Sequence, residues 1–335
     1  MLAMGRREFI TLLSGGAALP FGLWPFAAHA QQRVRRIGIL FGGFAADDPE
    51  GQARMTALIQ GLQERGWSDG RNARIDYRWA VGDPERLRKY AAEIVALAPD
   101  VVVSGGLPAA AALQQASRNI PIVFGNIIDP VGAGLVASLA QPGGNSTGFM
   151  TSEFSFSAKW LELLKQIAPR VTRVAFLRTD ATVQGIGEFT AIQAVAPSFG
   201  VEVTPITGRD PAETERAVTA FSRGSNGGLI IAGGAIQQPQ REAIIAAAAR
   251  HRLPAIYSFR RFVVEGGLIS FGIDNAELYR LAAGYVDRIL KGEKPADLPV
   301  QAPVKLETVL NLKTAKALGI EVPATVRVRA DEVIE

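Results

Sequence analysis

The sequence predicts an α/β protein of two lobes, each a parallel sheet covered by helices, joined by a hinge. Short apolar strands alternate with helical stretches of roughly 10 to 15 residues, which is typical of parallel sheets with helices on both faces. This strand–helix unit occurs from "RIGILF" to "IPIVFG" and again from "RVAFL" to "LPAIYS". The chain is also longer than the usual single domain, so two lobes are expected.

The first half of the chain supplies the elements of one lobe in order. Most of its strands are short apolar runs, and its helices are predicted to begin at a proline. The strands are predicted at 36–41, 73–79, 100–105 and 120–125, and the helices at 49–65, 84–98 and 108–118. A further short helix is expected within 129–149, ahead of the turn "PGG".

The second half repeats the pattern. Strands are predicted at 173–177, 201–206, 227–233 and 253–258, and helices at 155–168, 186–199, 211–223 and 239–251. Residues 147–152 are expected to cross into the second lobe and 270–274 to return, ahead of a long helix. The first lobe is therefore predicted to hold 33–148 and about 275–300, and the second 152–270. The strand–helix pair in 301–335 fits either lobe.

The N-terminal segment predicts export. A charged start with Arg6 and Arg7, an apolar run from Leu12 to Ala28 and the small-residue site "AHA" are the parts of a secretory signal. Residues 1–30 are therefore expected to be a signal peptide cleaved after Ala30, which places the mature chain in the periplasm. The arginine pair resembles a twin-arginine signal, and a general secretory signal with a chance arginine pair is the alternative.

Composition excludes several functions. A net charge of +4 with scattered basic residues predicts no nucleic-acid partner. The chain has no cysteine, which removes disulfides, thiol nucleophiles and zinc–thiolate sites. After cleavage the only histidine is His251, near the end of a predicted helix, where a solvated or helix-terminal role fits better than catalysis. No metal site or cofactor is expected.

Several long stretches resemble a known family. They include "GLQERGWSDGRNARIDYRWA", "IPIVFGNIIDPVGAGLVASLAQPGGNSTGF", "AAGYVDRILKGEKPADLPVQAP" and "NLKTAKALGI". These stretches are similar to exported substrate-binding proteins of ABC transporters, of the tryptophan- and tyrosine-linked type. The resemblance implies the type I periplasmic binding protein fold, with two Rossmann-like lobes, a small-molecule solute, ABC permease subunits in the inner membrane as partners, and a monomer. "VKLETV" and "VRVRADEV" depart from the family pattern near the end of the chain.

Candidate ligand residues of the first lobe follow its predicted strands. Gly105 and Gly106, with Leu107, open a helix whose N-terminal N–H groups suit a carboxylate, and a plain strand-to-helix turn is the alternative. Asp129 would pair a ligand ammonium or cap the short helix expected after it. Around Gly42, the aromatic rings of Phe41 and Phe44 offer apolar faces for a solute.

The second lobe offers fewer candidates. Asp180 and Gln237 follow strands in equivalent places, and Tyr257 supplies an aromatic ring at a strand end, where packing is the alternative role. Asp274 would complete an ammonium site or cap the next helix. Together these residues predict a site for an amino acid or a related carboxylate.

The predicted activity is capture of a solute by lobe closure and its delivery to a permease. An enzyme is disfavoured because the first strand is not followed by the dinucleotide fingerprint, and no Walker loop, G-x-S-x-G elbow or H-E-x-x-H is expected. Two cleft carboxylates could still perform acid–base chemistry. A periplasmic sensor that docks on a receptor is the other alternative, which sequence alone does not separate from transport.

Overall fold

The computed structural model describes residues 33–151, 157–178, 183–231, 238–302 and 305–335. The predicted signal peptide and the candidates Asp180 and Gln237 lie outside the described residues. None of the helices within these ranges is long and apolar enough to span a bilayer.

The first sheet has five parallel strands in the order β2-β1-β3-β4-β5. Its strands are β1 (Arg35–Phe41), β2 (Ala73–Trp79), β3 (Val101–Gly105), β4 (Ile122–Ile127) and β5 (Ser146–Met150). The helices between them are α1 (Pro49–Glu64), α2 (Pro84–Ala96) and α3 (Leu107–Ala116). Helix α1 packs on one face, and α2 and α3 pack on the other.

The second sheet has seven strands in the order β12-β11-β10-β9-β8-β6-β7. Its strands are β6 (Arg173–Arg178), β7 (Glu202–Thr207), β8 (Gly227–Ile231), β9 (Ala255–Tyr257), β10 (Ile269–Ile273), β11 (Leu306–Asn311) and β12 (Glu332–Ile334). The α-helices that follow in the described chain are α4 (Ser157–Ile167), α5 (Val183–Val195), α6 (Pro211–Ser222), α7 (Gln238–Arg250), α8 (Arg260–Val264), α9 (Asn275–Leu290), α10 (Leu312–Leu318) and α11 (Ala324–Arg329). All except α9 belong to the second lobe. Strands β10 and β11 pair antiparallel, and the other ladders are parallel.

Three helices begin at an Asp-Pro pair. Asp48, Asp83 and Asp210 accept hydrogen bonds from backbone N–H groups in the first turns of α1, α2 and α6. The proline that follows has no N–H to leave unsatisfied, and its fixed φ suits the first helical position. These pairs explain why the predicted starts of the three helices match the structure.

The segment between β4 and β5 differs from its prediction. Residues 130–134 form turns where a short helix was expected, and Ser146–Met150 forms strand β5 of the first sheet where a crossing was expected. The polar sequence "NSTGF" gives no local indication of a strand, because the pairing of β5 with β4 and its burial come from tertiary contacts. Chain crossing to the second lobe therefore starts only after Met150.

The described elements imply three chain crossings between the two sheets: after β5, between β10 and α9, and between Gln301 and β11. Gln301 still belongs to the first lobe, where its N–H donates to the Gly148 carbonyl at 2.9 Å. An ion pair between Asp274 and Lys305, at 2.8 Å, joins the second crossing to the third. Helix α9 packs on the first sheet, whereas β11 and β12 extend the second.

Glu307 in strand β11, close enough to Asp274 to feel its charge, makes the stability of the fold depend on pH. Burial, together with the charge of Asp274, raises its pKa from 4.5 to about 7. The folded chain then holds this proton more tightly than the unfolded chain does. Stability that is fully present below pH 4.5 is therefore lost as the pH rises through 7.

We expect Glu307→Gln to raise the free energy of unfolding by about 1 kcal/mol at pH 8, since partial solvation reduces the full linkage value. At pH 4 the carboxyl is protonated in both states, so the substitution should change little. Urea unfolding at the two pH values checks this. A benefit of equal size at both would contradict it.

Candidate ligand-binding cleft

The two lobes meet where helix α1 of the first faces α7 and α8 of the second. Asp48 pairs with Arg241 across this seam, with 3.2 Å between carboxylate and guanidinium. The guanidinium of Arg54 lies 4.7 Å from the ring centre of Phe44 and 6.0 Å from that of Phe259 in the other lobe. A small cavity at the seam is lined by Phe44, Glu50, Arg54, Arg241, Phe259, Arg261 and Phe262.

The predicted aromatic residues of the first lobe are largely buried. Phe41 stacks on Trp79 with ring centres 4.7 Å apart and contacts Tyr279 at 5.4 Å. Gly42 follows it and donates its N–H to the Gly105 carbonyl at 3.1 Å, which joins two neighbouring strand ends. Phe41 therefore belongs to the core of the first lobe. Phe44 lines the cavity at the seam.

The turn from β3 into α3 keeps the features expected of an anion site. Gly106 has a φ of 87°, a conformation that favours glycine. Its N–H donates to the Gly125 carbonyl at 2.9 Å, and no side chain caps the first turn of α3. Leu107 is 40% exposed at this turn.

Three other predicted residues perform the structural roles that the sequence allowed as alternatives. Asp129 is exposed and accepts a hydrogen bond from the Gly132 N–H at 2.7 Å, which caps a turn. Asp274 caps α9 and pairs with Lys305. Burial alone would raise the pKa of Asp274, but the hydrogen bond and charge of Lys305 and the N–H groups at the start of α9 together lower it. Tyr257 stacks on Phe262 in the core of the second lobe, where burial raises the pKa of its hydroxyl.

Sequence reasoning missed a set of polar side chains near the strand ends. Their buried atoms have no hydrogen-bond partner among the described residues: Ser104 Oγ, Asn126 Oδ1, Thr151 Oγ1, Ser258 Oγ, Asn275 Oδ1 and the Tyr279 hydroxyl. Burying a polar group without a hydrogen-bond partner costs about 1–3 kcal/mol, so these side chains are candidates for hydrogen bonds to a bound ligand. Each is neutral, and each lies within or next to a strand end or the start of α9.

Tyr279 is the most informative of these residues because it is fully buried. Its hydroxyl lies against the ends of β3 and β4, at 3.1 and 3.2 Å from where a Cβ on Gly105 and Gly125 would stand. Burial raises the pKa of Tyr279, although the nearby Arg54 opposes this. The hydroxyl therefore stays protonated and can both donate and accept a hydrogen bond.

The backbone conformation of Asn126 is unusual in a way that often marks a binding site. Its φ is 67°, and it lies where the pairing of β4 with β5 shifts register between Phe124 and Ile127. Asn tolerates this left-handed conformation better than most residues, and such irregularities re-aim a side chain beside binding sites. An asparagine directly after an apolar strand was the available sequence signal.

The expectation that the chain has no G-x-S-x-G motif is wrong for the sequence, although the geometry of a hydrolase site is absent at the motif that occurs. Gly144–Gly148 reads G-x-S-x-G, yet Ser146 is buried at the start of strand β5 rather than on a turn into a helix. His251, the histidine such a serine would need, contacts the hydroxyls of Thr219 and Ser222 in the second lobe.

Two α/β lobes that meet at a seam, with unpartnered neutral polar groups at their strand ends, define a two-lobed solute-binding protein. Residues 47–334 match the family model described as ABC transporter substrate binding protein, and the chain belongs to that family. The fold class and the family resemblance predicted from the sequence are thereby confirmed.

Three relatives are similar over most of the chain. A curated tyrosine-binding protein of Clostridioides difficile (strain R20291) is 28% identical over 264 residues, covering 79% of this chain and 76% of the relative. A structure from Streptococcus pneumoniae in complex with L-Trp has a TM-score of 0.80 at 27% identity, covering 90% and 99% of the two chains. A ligand-free, open substrate-binding protein from Clostridium difficile has a TM-score of 0.70 at 26% identity, with the same coverage.

Proposed function

We propose that this protein captures an amino acid or a related small carboxylate between its lobes and delivers it to an ABC permease in the inner membrane. It works in the periplasm as a monomer after its N-terminal signal has been removed. The solute is bound and released without chemical change. The similarity to proteins described with tyrosine and L-Trp supports this choice of solute class.

The observation that carries the proposal is the group of unpartnered polar atoms beside the uncapped start of α3. Free N–H groups and the helix dipole favour a carboxylate at a helix N-terminus. The Tyr279 hydroxyl lies beside Gly105, the last residue of β3 before the turn into α3. Ser104, one residue earlier, is buried with an unpartnered hydroxyl. A bound carboxylate and ammonium would give such groups the partners they lack.

Closure of the second lobe over the solute is the proposed capture step. A ligand favours closure only through contacts that the closed arrangement adds, so both lobes must contribute. The seam already brings Arg241 and Phe259 of the second lobe against the first. The higher TM-score to the L-Trp complex than to the open, ligand-free relative supports a closed arrangement for this chain.

Calorimetry and thermal shift on the mature chain, residues 31–335, test the solute class. We expect L-tryptophan, L-tyrosine or a related amino acid to raise the melting temperature, because a ligand at a hundred times its Kd adds about 2.7 kcal/mol of stability. Tryptamine lacks the carboxylate and serves as the matched control, so it should give a much smaller shift. Binding of sugars or polyols, with no response to any amino acid or carboxylate, would refute the proposed solute class.

A further inference from the structure

The ion pair between Asp48 and Arg241 is the most buried charged contact between the two lobes. Both side chains are 3% exposed, and the pair joins the N-cap of α1 in the first lobe to α7 in the second. A buried charge that loses its partner carries a large desolvation penalty. The lobes can therefore pack in this arrangement only when carboxylate and guanidinium meet.

Each partner is held in place by its own lobe. Asp48 Oδ1 accepts hydrogen bonds from the Glu50 and Gly51 N–H groups at 2.9 and 3.2 Å, which leaves Oδ2 directed at Arg241. Arg241 Nε donates to Glu265 at 3.3 Å, and Glu265 is in turn bound by Arg261 at 2.7 Å. Since both groups are oriented before they meet, closing the seam orders few additional side-chain torsions.

A second contact lies beside the pair and needs the same alignment. Arg54 is bound to Glu50 at 3.0 Å within α1, and its guanidinium faces the rings of Phe44 and Phe259. A cation over an aromatic ring is attracted only within about 6 Å of the ring centre. Sliding of one lobe against the other would therefore weaken both contacts together.

We propose that Asp48 and Arg241 are positioning residues: their pairing fixes the orientation of the closed lobes, and thereby the lifetime of the bound solute. This inference rests on the proposed function for its effect on the solute, but its effect on the lobes does not depend on which solute binds.

Asp48→Asn is the sharpest variant, because asparagine is as good an N-cap as aspartate and only the charge is lost. With L-tryptophan as the probe, stopped-flow kinetics should show dissociation about five times faster with association changed less than twofold. Arg241→Gln should behave alike, and the double variant should lose less than the product of the two single effects. Glu93→Gln, which breaks the surface pair with Arg78 inside the first lobe, should leave both rates unchanged.

A distance measurement separates this inference from the proposed function. The chain has no cysteine, so Lys89→Cys on α2 and Arg216→Cys on α6 allow one spin label on each lobe. The Asp48→Asn variant should populate longer interlobe distances than the parent does. Identical distance distributions would overturn the inference whether or not L-tryptophan binds. Failure of the parent to bind any amino acid, with the distributions still different, would overturn the proposed solute class alone.

Discussion

Gly148→Ala should lower the free energy of unfolding by about 2 to 4 kcal/mol, as overpacking against a fixed neighbour does. Gly148 lies in β5 opposite Phe124 of β4 and has a φ of 153°. A Cβ there would stand 2.0 Å from the Phe124 carbonyl oxygen and 2.7 Å from its nitrogen. Because backbone atoms within a sheet cannot yield as a flexible side chain can, β5 must move away from β4.

Gly144→Ala provides the matched control a few residues earlier. Nothing lies within 4 Å of a Cβ at that position, so the substitution should be neutral or slightly stabilising. Urea unfolding followed by circular dichroism compares the two variants with the parent. Equal stabilities for the two variants would show that the close approach of β5 to β4 is not as described.

Tyr279→Phe should move solute affinity and stability in opposite directions. The ring remains packed against Phe41, but the buried unpartnered hydroxyl is removed. The free energy of unfolding without solute should therefore rise by about 1 kcal/mol. Affinity for the amino acid should fall about tenfold, because a binding site that loses one hydrogen-bonding group loses about 1.4 kcal/mol or more.

Tyr77→Phe is the control for this prediction, since Tyr77 is 55% exposed on β2. It should change neither quantity. Calorimetric titration and urea unfolding on the same preparations give both. A Tyr279→Phe variant with unchanged affinity would exclude its hydroxyl from the site, and a loss of stability would show that the hydroxyl has a partner in the fold.

Local signals were enough to predict most of the fold. Apolar runs such as "DVVVSG" are buried central strands here, and Asp-Pro pairs mark the starts of three helices. Strand β5 was missed because "NSTGF" has the composition of a turn. The last strands were left unassigned because β11 pairs antiparallel with β10 only after the chain has crossed for the third time. Such long-range pairing has no local sequence signal.

The candidate site was predicted less completely than the fold. The glycines at the β3–α3 turn stay a prediction as ligand residues; the turn itself could be predicted because its conformation is set by the local backbone. Asp129 and Asp274 were predicted to pair with a ligand ammonium because they are charged. In the structure Asp129 caps a turn and Asp274 caps a helix. Tyr279 looks like one more apolar position of an amphipathic helix in the sequence. Its unpartnered hydroxyl emerges only when α9 packs against β3 and β4.

The order of the crossings has a consequence for how the chain folds during synthesis. One face of the first sheet is covered by α1 alone until α9 has left the ribosome, some 140 residues after β5. The second sheet gains its outermost strand only with Glu332–Ile334. Neither sheet can therefore be completed before these late elements have been synthesised, and apolar surface that they cover favours aggregation until then.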